Sequence, residues 1–596
     1  MTLTEATTGG PAPPGGRRSL VGSSVRRVED RRLLTGAGSY VANLVLPHLL
    51  HGAFFRSQVA HGVLRGLAVE EARRAPGVVA VITAAELDEV AGPLTPTPPP
   101  GLSAPSFPAL VPIGGKVRLV GDPIAMVIAR SPGAAVDAVE LIDADIDELA
   151  PVVNIDQALA EGTPPVFDEV GSNLLYRQVF PYGDPDGVIA GIAAEGGTIR
   201  RETFRQHRVT NAPMEGHVGV ADYTPATGEL VYHTANQNPH ALRHHLAAML
   251  KMPAHRVQIL CPDIGGSFGQ KAYPHREDVV LCAASRMLGA PVRWVADRRE
   301  NLLTGGQARE ETLDVEAAVR ADGSLAAFKV RMTVDAGAYP LVTLPATSFA
   351  MMARALFPSA YRLDHYSFES VVVSTNKATA VPYRGPWEAE TWARERMLDL
   401  LARTLGRDPV EYRLANLWSD EELPRAMVNG PDLIGITVRQ TLLQARDRIG
   451  YDECRAAQAD ARRQGRHLGV GFSCSIDASP GPSNFASALS AGASPRGHQQ
   501  ADARLETDGS VTVFTSQMPH GQGHETTLAQ LAADELSLPL ERIRVVYGDT
   551  RSTPFNLVGT GGSRAATMAS GAVVGVTQVL RDQIFEIAGH KLEAAT

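Results

Sequence analysis

Cysteine is scarce in this sequence, which has four cysteines among 596 residues and no Cys-x-x-Cys pair. The four are Cys261, Cys282, Cys454 and Cys474. Without paired cysteines the chain lacks the ligand spacing of an iron–sulfur cluster or a structural zinc site. A disulfide framework is also disfavoured, so a reducing compartment fits better and we expect a cytoplasmic protein.

Long apolar runs and a surplus of positive charge are missing as well. We find no run of about 18 apolar residues, so we expect no membrane-spanning helix. The formal net charge is −9, which disfavours nucleic acid as a partner. Arg17 and Arg18 lead into no apolar segment. We therefore interpret residues 1–18 as a disordered leader rich in glycine and proline, not as an export signal.

The glycine clusters match neither the dinucleotide fingerprint Gly-x-Gly-x-x-Gly nor the phosphate loop that ends in Gly-Lys-Ser/Thr. An ordinary dinucleotide-binding module is therefore a remote alternative. The predicted strand at 256–260 leads into a first glycine loop, Gly265-Gly266-Ser267-Phe268-Gly269. Glycine permits positive φ and lets the main chain approach a flat or anionic ligand closely. A tight turn after a strand is the alternative interpretation.

Two later loops have the same character. The second glycine loop, Gly521-Gln522-Gly523, presents an amide between glycines, and we interpret the following His524 as structural. The third glycine loop, Gly559-Thr560-Gly561-Gly562-Ser563-Arg564, precedes a predicted helix that Ser563 would cap. Free N–H groups, the helix dipole and a guanidinium would together favour a phosphate there, with a plain capped helix start as an equal alternative.

Three histidines and two arginines also stand out. His240 and His244 lie at helical spacing and His245 follows them. A solvated helix face is the favoured interpretation of this cluster over a metal site. Arg354 lies in an apolar segment and Arg384 lies in a turn. A buried arginine normally binds a carboxylate or another anion, so each is a candidate for a ligand contact or a salt bridge.

The order of predicted strands and helices indicates an α+β protein of several domains. We expect a first domain at 19–155, a second at 165–420 and a third at 435–596. Within them, the periodicity predicts an amphipathic helix at 388–405 and a hairpin that turns at Asp508-Gly509.

Six ordered motifs carry a resemblance to a known family, and they extend over nearly the whole chain. The motifs are Gln237, Gly265–Gly269, Asp335–Tyr339, Pro382–Gly385, Gly521–Thr526 and Gly559–Arg564. Together they resemble the molybdopterin-binding large subunit of the xanthine oxidase family, in the aldehyde oxidase and carbon monoxide dehydrogenase-like branch.

The resemblance implies an N-terminal α/β hammerhead domain followed by two molybdopterin-binding α+β domains, the last one incomplete. It implies hydroxylation of an aldehyde or a small N-heterocycle with oxygen from water. The implied cofactor is molybdenum held by molybdopterin, usually as the cytosine dinucleotide in bacteria. Electrons would leave through a small iron–sulfur subunit and a medium FAD subunit.

The resemblance also assigns roles to residues, none of them as a direct metal ligand. Gln237 would hydrogen-bond an oxo ligand, and the main chain of the first glycine loop, at Phe268 and Gly269, would touch the metal's ligand sphere. The expected cofactor-binding residues are Gly265, Gly266, Phe268, Gly269, Gln522, Gly523, Thr560, Gly562, Ser563 and Arg564. Arg354 and Arg384 would face the substrate pocket or the cofactor.

Three departures from the family pattern bear on the expected substrate and on the expected catalytic base. Gly385 stands where carbon monoxide dehydrogenases proper carry a copper-binding cysteine, which disfavours CO oxidation. Ala272 follows Lys271 where purine-oxidising relatives have a glutamate, which disfavours purines. The family's catalytic base, a glutamate in a Gly-x-Gly-Glu motif, is not in this sequence. We expect a fragment or a split subunit completed by another chain, in preference to a non-catalytic cofactor-binding protein.

Overall fold

The computed structural model describes residues 19–341, 346–383, 385, 388–477 and 499–593. The predicted leader at 1–18 lies outside the described residues.

The first part of the chain alternates short strands and short helices. The strands are β1 (Leu50–Arg56), β2 (Gly62–Ala68), β3 (Val78–Ile82), β4 (Lys116–Val117), β5 (Pro123–Ala129) and β6 (Asp143–Glu148). The helices are α1 (Asp30–Leu34), α2 (Glu70–Arg74), α3 (Ala84–Asp88), α4 (Pro132–Val139) and α5 (Ile155–Leu159). Helix α4 begins with a proline at its first position, and the Ser131 side chain accepts from the Ala134 N–H at 3.2 Å.

The middle part contains longer strands and the helices that cover them. The strands are β7 (Leu174–Tyr182), β8 (Thr198–Val209), β9 (Val218–Thr224), β10 (Glu229–Thr234), β11 (Val257–Leu260), β12 (Val292–Val295), β13 (Ala308–Val319), β14 (Leu325–Asp335) and β15 (His365–Val373). The helices are α6 (Pro185–Ala194), α7 (Pro239–Met249), α8 (Arg276–Leu288), α9 (Arg298–Thr304), α10 (Thr347–Leu356), α11 (Glu388–Thr404) and α12 (Pro409–Asn416). The predicted helix at 388–405 is confirmed as α11, and Gly406, at φ +64°, follows its end.

The last part begins after α12. Its strands are β16 (Arg425–Ala426), β17 (Asp432–Leu433), β18 (Ala501–Leu505), β19 (Val511–Thr515) and β20 (Ile543–Val546). Its helices are α13 (Val438–Arg448), α14 (Tyr451–Arg463), α15 (His524–Leu536) and α16 (Ser570–Leu592). Strands β18 and β19 form the predicted hairpin, in which Leu505 pairs with Val511 around the Asp508-Gly509 turn.

A seven-stranded sheet combines strands from the first and middle parts of the chain, in the order β11-β10-β9-β12-β1-β5-β3. Strand β1 joins the two parts, because it runs antiparallel to β5 and parallel to β12, with Leu50 opposite Val292. Helices α7 and α8 cover the β9–β11 side, and apolar residues of α8 such as Val280 and Leu281 are fully buried there.

Two further sheets build the rest of the core. The order β7-β15-β14-β13-β8 forms a five-stranded sheet that packs against α10 and α11. The three strands β18-β19-β20 pack against α15 and α16. Among the described residues, no helix combines the length and apolar character that crossing a membrane requires.

Glu395 on α11 holds two buried arginines. Its carboxylate accepts from Arg413 Nε at 2.9 Å and from Arg394 Nε at 3.1 Å. The Tyr361 hydroxyl and the Cys474 N–H also donate to it, both at 3.0 Å. Because Arg394 and Arg413 are 1% and 0% exposed, this carboxylate compensates charge that water cannot reach.

Each arginine has a second carboxylate partner, Glu390 for Arg394 and Asp399 for Arg413. We expect Glu395→Gln to lower the free energy of unfolding by about 1–3 kcal/mol, because it removes the shared charge and weakens buried hydrogen bonds while these second pairs remain. Denaturant titration measures the loss. Glu316→Gln is the matched control, since Glu316 pairs with Arg201, which is 72% exposed. Such exposed pairs contribute about 0–1 kcal/mol. Equal losses in the two variants would contradict this account of the cluster.

Candidate functional site

Gln237 joins the first and third glycine loops through its main chain and its side chain. Its N–H donates to the Lys271 carbonyl at 3.0 Å, and its carbonyl accepts from the Thr560 N–H at 3.1 Å. Its side-chain Oε1 accepts from the Ser267 hydroxyl and from the Gly269 N–H, the latter at 3.3 Å. Its Nε2 donates to the Thr560 carbonyl at 2.6 Å. Two loops about 290 residues apart in sequence therefore meet at one side chain.

The orientation of the Gln237 amide follows from these partners. The Gly269 N–H can only donate, so the atom that it meets is the oxygen, Oε1. The Thr560 carbonyl can only accept, so it faces Nε2. One of the two Nε2 hydrogens is used in this way, and the second has no acceptor among the described residues.

The glycines of the first loop are required because the chain packs too closely for a side chain. A Cβ on Gly269, at φ +108°, would lie 2.3 Å from the Pro382 carbonyl oxygen. A Cβ on Gly265 would lie 2.6 Å from Glu215 Cβ, and one on Gly266 would lie 3.2 Å from the Phe268 ring. These close contacts are made to neighbouring protein segments, and the approach to a flat or anionic ligand stays a prediction.

Phe268 presents its ring at the surface of this loop. Its main chain is left-handed, at φ +56°, and its side chain is 39% exposed. The ring meets Tyr383 edge to face, with centroids 6.4 Å apart. The Asn211 amide donates to the carbonyls of Phe268 and Pro382, at 3.0 and 2.8 Å, and so links the loop to the segment before Tyr383.

A buried ion pair lies beneath the first loop. Lys271 is 1% exposed and its Nζ lies 2.9 Å from Glu215 Oε2, which also accepts from the Gly265 N–H at 3.0 Å. Burial lowers the pKa of Lys271, and the nearby Glu215 carboxylate opposes that shift. Sequence reasoning missed Glu215, because nothing in the local sequence distinguishes it from a surface glutamate.

The third loop supplies a buried hydroxyl. Thr560 is 5% exposed, and its Oγ1 has no hydrogen-bond partner among the described residues. Gly562 and Ser563 are left-handed, at φ +53° and +59°. The expectation that Ser563 caps the helix is wrong, because Arg564 occupies the N-cap position and no Ser563 side-chain cap bond to a described residue forms there. Arg564 lies at the start of a π-helical turn, 565–569, and burial lowers its pKa.

The segment that leads into the second loop contacts the third. Gln517, just before it, donates to the Gly559 carbonyl at 3.0 Å. Gln522 Oε1 accepts from the His520 N–H at 2.7 Å, and Gly523, at φ +83°, begins α15. Burial lowers the pKa of His520 to about 3, with smaller effects from nearby His524 and Lys271. His524 is itself buried, as its structural interpretation requires.

Of the two candidate arginines, Arg354 stands apart from this arrangement. Arg354, on α10, donates to the Tyr182 hydroxyl at 3.0 Å and lies over the Phe180 ring at 4.3 Å, both on β7 of the five-stranded sheet. Gln237 instead follows β10 of the seven-stranded sheet, and a role for Arg354 in the pocket remains a prediction. Arg384 lies outside the described residues.

His240 does not belong to a solvated helix face, which corrects the sequence interpretation. It is 2% exposed, and its Nε2 lies 3.0 Å from Thr553 Oγ1. The Thr553 hydroxyl donates to the Asp549 carbonyl at 2.6 Å, so the ring must donate from Nε2. Burial lowers the pKa of His240 to about 4. The ring thus joins α7 to the segment that leads into the third glycine loop.

Family models match most of this chain. The model described as the aldehyde oxidase and xanthine dehydrogenase a/b hammerhead domain matches residues 35–150. Two models described as molybdopterin cofactor-binding domains match residues 166–417 and 444–596. The nicotine 6-hydroxylase large subunit of Paenarthrobacter nicotinovorans is 32% identical over 97% of this chain and 70% of its own length. The chain belongs to the molybdopterin-binding large subunits of the xanthine oxidase family. It is thus an α+β subunit of molybdenum-dependent oxidoreductases, as the sequence motifs predicted.

Other relatives agree in sequence and in structure. The carbon monoxide dehydrogenase large chain of Afipia carboxidovorans is 30% identical over 96% of this chain and 72% of its own. The crystal structure of quinoline 2-oxidoreductase from Pseudomonas putida 86 superposes with a TM-score of 0.90 at 34% identity. That match covers 96% of this chain and 72% of the other.

The residues brought together here fit a molybdopterin. The second Nε2 hydrogen of Gln237 and the Thr560 hydroxyl are polar groups that the described protein leaves available. Beside Gln522, the space that a Cβ on Gly521 would occupy is open, with no described atom within 4 Å. Main-chain and amide donors at glycine loops suit the oxo groups and phosphates of such a cofactor.

We expect Gly269→Ala to lower the molybdenum content of the purified protein severalfold, because its methyl group would displace Pro382 and shift the Gln237 contact. Elemental analysis measures this change. Gly509→Ala is the control, since Gly509 also has positive φ but no described atom within 4 Å of the Cβ position. Equal molybdenum in both variants would contradict the proposed tightness at position 269.

We expect His240→Gln to reduce the acid sensitivity of folding. Because the pKa of His240 is depressed in the folded protein, the unfolded chain takes up more protons between pH 6.5 and about 4. Native stability from this group is complete above pH 6.5 and falls by up to about 1.4 kcal/mol per pH unit below it. Denaturant titrations between pH 7 and 5 measure the free energy of unfolding, which should change less steeply with pH in His240→Gln than in the wild type. Thr553→Val keeps the imidazole ring, so its free energy of unfolding should depend on pH as in the wild type. The same pH dependence in all three proteins would contradict the role of His240.

Proposed function

We propose that this chain binds molybdenum–molybdopterin, as the cytosine dinucleotide, and hydroxylates a small aromatic N-heterocycle with oxygen from water. Aldehydes are the second substrate class. The observation that carries the proposal is the Gln237 amide, which joins two glycine loops and keeps one N–H available beside them.

Three features favour an N-heterocycle. The exposed Phe268 ring and its edge-to-face partner Tyr383 offer an aromatic surface next to the first glycine loop. Such rings pack well against flat heteroaromatic molecules. Two relatives are named for nicotine and quinoline. Gly385 stands at the position where the resemblance places a copper-binding cysteine in carbon monoxide dehydrogenases.

The residues of this chain would bind and orient. The bound cofactor would supply the oxygen-transfer and two-electron redox chemistry. Gln237 would donate its second Nε2 hydrogen to a cofactor oxygen, and the Thr560 hydroxyl would hold the pterin. Phe268 and Tyr383 would orient the substrate ring and keep water from its face. The proton acceptor is expected in a Gly-x-Gly-Glu motif, which these 596 residues do not include.

Partner subunits would carry the electrons away. The chain has no cysteine pairs for an iron–sulfur cluster, so we propose a small iron–sulfur subunit and a medium FAD subunit. The names of two relatives, a large chain and a complex subunit gamma, are consistent with such an assembly. The cytoplasmic location stays a prediction.

The deciding experiment is made on the native complex. Its molybdenum, iron, flavin and nucleotide content would be measured, followed by turnover of quinoline, nicotine and benzaldehyde with a dye acceptor in ¹⁸O-water. Labelled hydroxylated heterocycle supports the proposal. Bound molybdopterin without turnover of any substrate would favour the non-catalytic alternative, and absence of molybdopterin would refute both.

We expect Gln237→Ala to abolish most turnover and to lower molybdenum content, because it removes the link between the two loops. Gln258→Ala is the matched control, since the half-buried Gln258 side chain bonds the Asp549 carboxylate, at 2.8 Å, and lies in neither loop. It should retain both properties. Wild-type turnover in Gln237→Ala would exclude the assigned role.

A further inference from the structure

Arg309 forms hydrogen bonds to the main chain on both sides of position 384. Its Nη1 donates to the Gly385 carbonyl at 3.1 Å, and its Nη2 donates to the Tyr383 carbonyl at 3.0 Å. It also lies 3.3 Å from the Glu388 carboxylate. The guanidinium is 7% exposed and presents its donors in a rigid planar fork, which can hold two carbonyls at once.

The backbone at Arg309 is strained. Arg309 and Glu310 are consecutive left-handed residues, at φ +68° and +65°, within β13. Such conformations cost non-glycine residues about 1–3 kcal/mol each and persist where the surroundings enforce them. The two side chains contact the same stretch of chain. Glu310 pairs with Lys377, and Arg309 hydrogen-bonds the carbonyls of Tyr383 and Gly385. In an ordinary strand, successive side chains would point to opposite faces.

Among the described residues, other hydrogen bonds from neighbouring segments hold this stretch as far as Pro382. The Val381 N–H donates to the Gln307 carbonyl at 2.9 Å, and the Asn211 amide ties Pro382 to Phe268. Arg309 is the described contact that continues this anchoring to the Tyr383 carbonyl. The placement of the Tyr383 ring against Phe268 therefore depends on it.

We propose that Arg309 is a positioning residue for the substrate pocket: by holding the carbonyls of Tyr383 and Gly385, it sets the aromatic surface that Tyr383 forms with Phe268. This inference rests on the proposed function, because it takes that surface to receive the substrate. The pairing with Glu388 is secondary, since Glu388 is 61% exposed and such pairs contribute about 0–1 kcal/mol.

The test compares Arg309→Lys with Glu388→Gln and Arg201→Lys in the native complex. Lysine keeps the charge but cannot hold two carbonyls with a fixed fork. Glu388→Gln removes the ion pair and leaves the fork in place. Arg201→Lys is the matched control on the neighbouring strand β8, where the arginine binds Glu316. Amide hydrogen exchange, thermal unfolding, kcat and KM are measured for each protein.

We expect Arg309→Lys to raise exchange in residues 381–388 alone and to leave the unfolding temperature unchanged. We expect kcat/KM for the heterocycle to fall about 10- to 100-fold, since misplacement by about 1 Å has effects of that size. The two other variants should match wild type in exchange and kinetics.

Wild-type exchange and kinetics in Arg309→Lys would overturn the proposal. Exchange that rises across the whole five-stranded sheet, with a lower unfolding temperature, would show a general structural role and also overturn it. If wild type turns over no heterocycle or aldehyde, the proposed function fails and the pocket role of Arg309 fails with it. Local exchange in Arg309→Lys would then still report whether Arg309 anchors the segment.

Discussion

The site depends on a single primary amide. Gln237 spans two glycine loops that belong to different cofactor-binding domains, accepting from Gly269 on one side and donating to Thr560 on the other. Each of these buried partners would carry a desolvation cost if the amide were lost. The amide is therefore a structural bond between domains, and it also keeps one N–H without a partner among the described residues. A substitution that improved one role would disturb the other.

Buried charge is used in this protein to fix main-chain positions. Lys271 and Glu215 brace the first glycine loop through the Gly265 N–H, and Arg309 holds the carbonyls beyond Pro382. Pairs of this kind add little to net stability, since desolvation offsets most of their attraction. Their geometry is directional, however, and directional contacts are what a site needs when its loops contain little regular structure.

Local patterns in the sequence predicted the strands, helices and turns that carry the site. They did not predict the long-range contacts between those elements. The strand before Gly265, the helix at 388–405 and the Asp508-Gly509 hairpin all have short-range signals of periodicity and turn chemistry. No short-range signal predicts the contacts that Gln237 makes with Thr560, Glu215 with Gly265, or Arg309 with Tyr383. In each case the partner lies tens to hundreds of residues away. His240 illustrates the same limit, since its burial depends on a segment some 310 residues later.

The position of β1 has a consequence for how the chain is made. Strand β1 is bordered by β5 on one side and by β12 on the other, and β12 is synthesised about 240 residues later. Until β12 has been synthesised, the edge of β1 that pairs with it has no native partner. An open strand edge invites pairing with other chains. Early association with a chaperone, or prompt synthesis through residue 295, would protect the nascent subunit from aggregation.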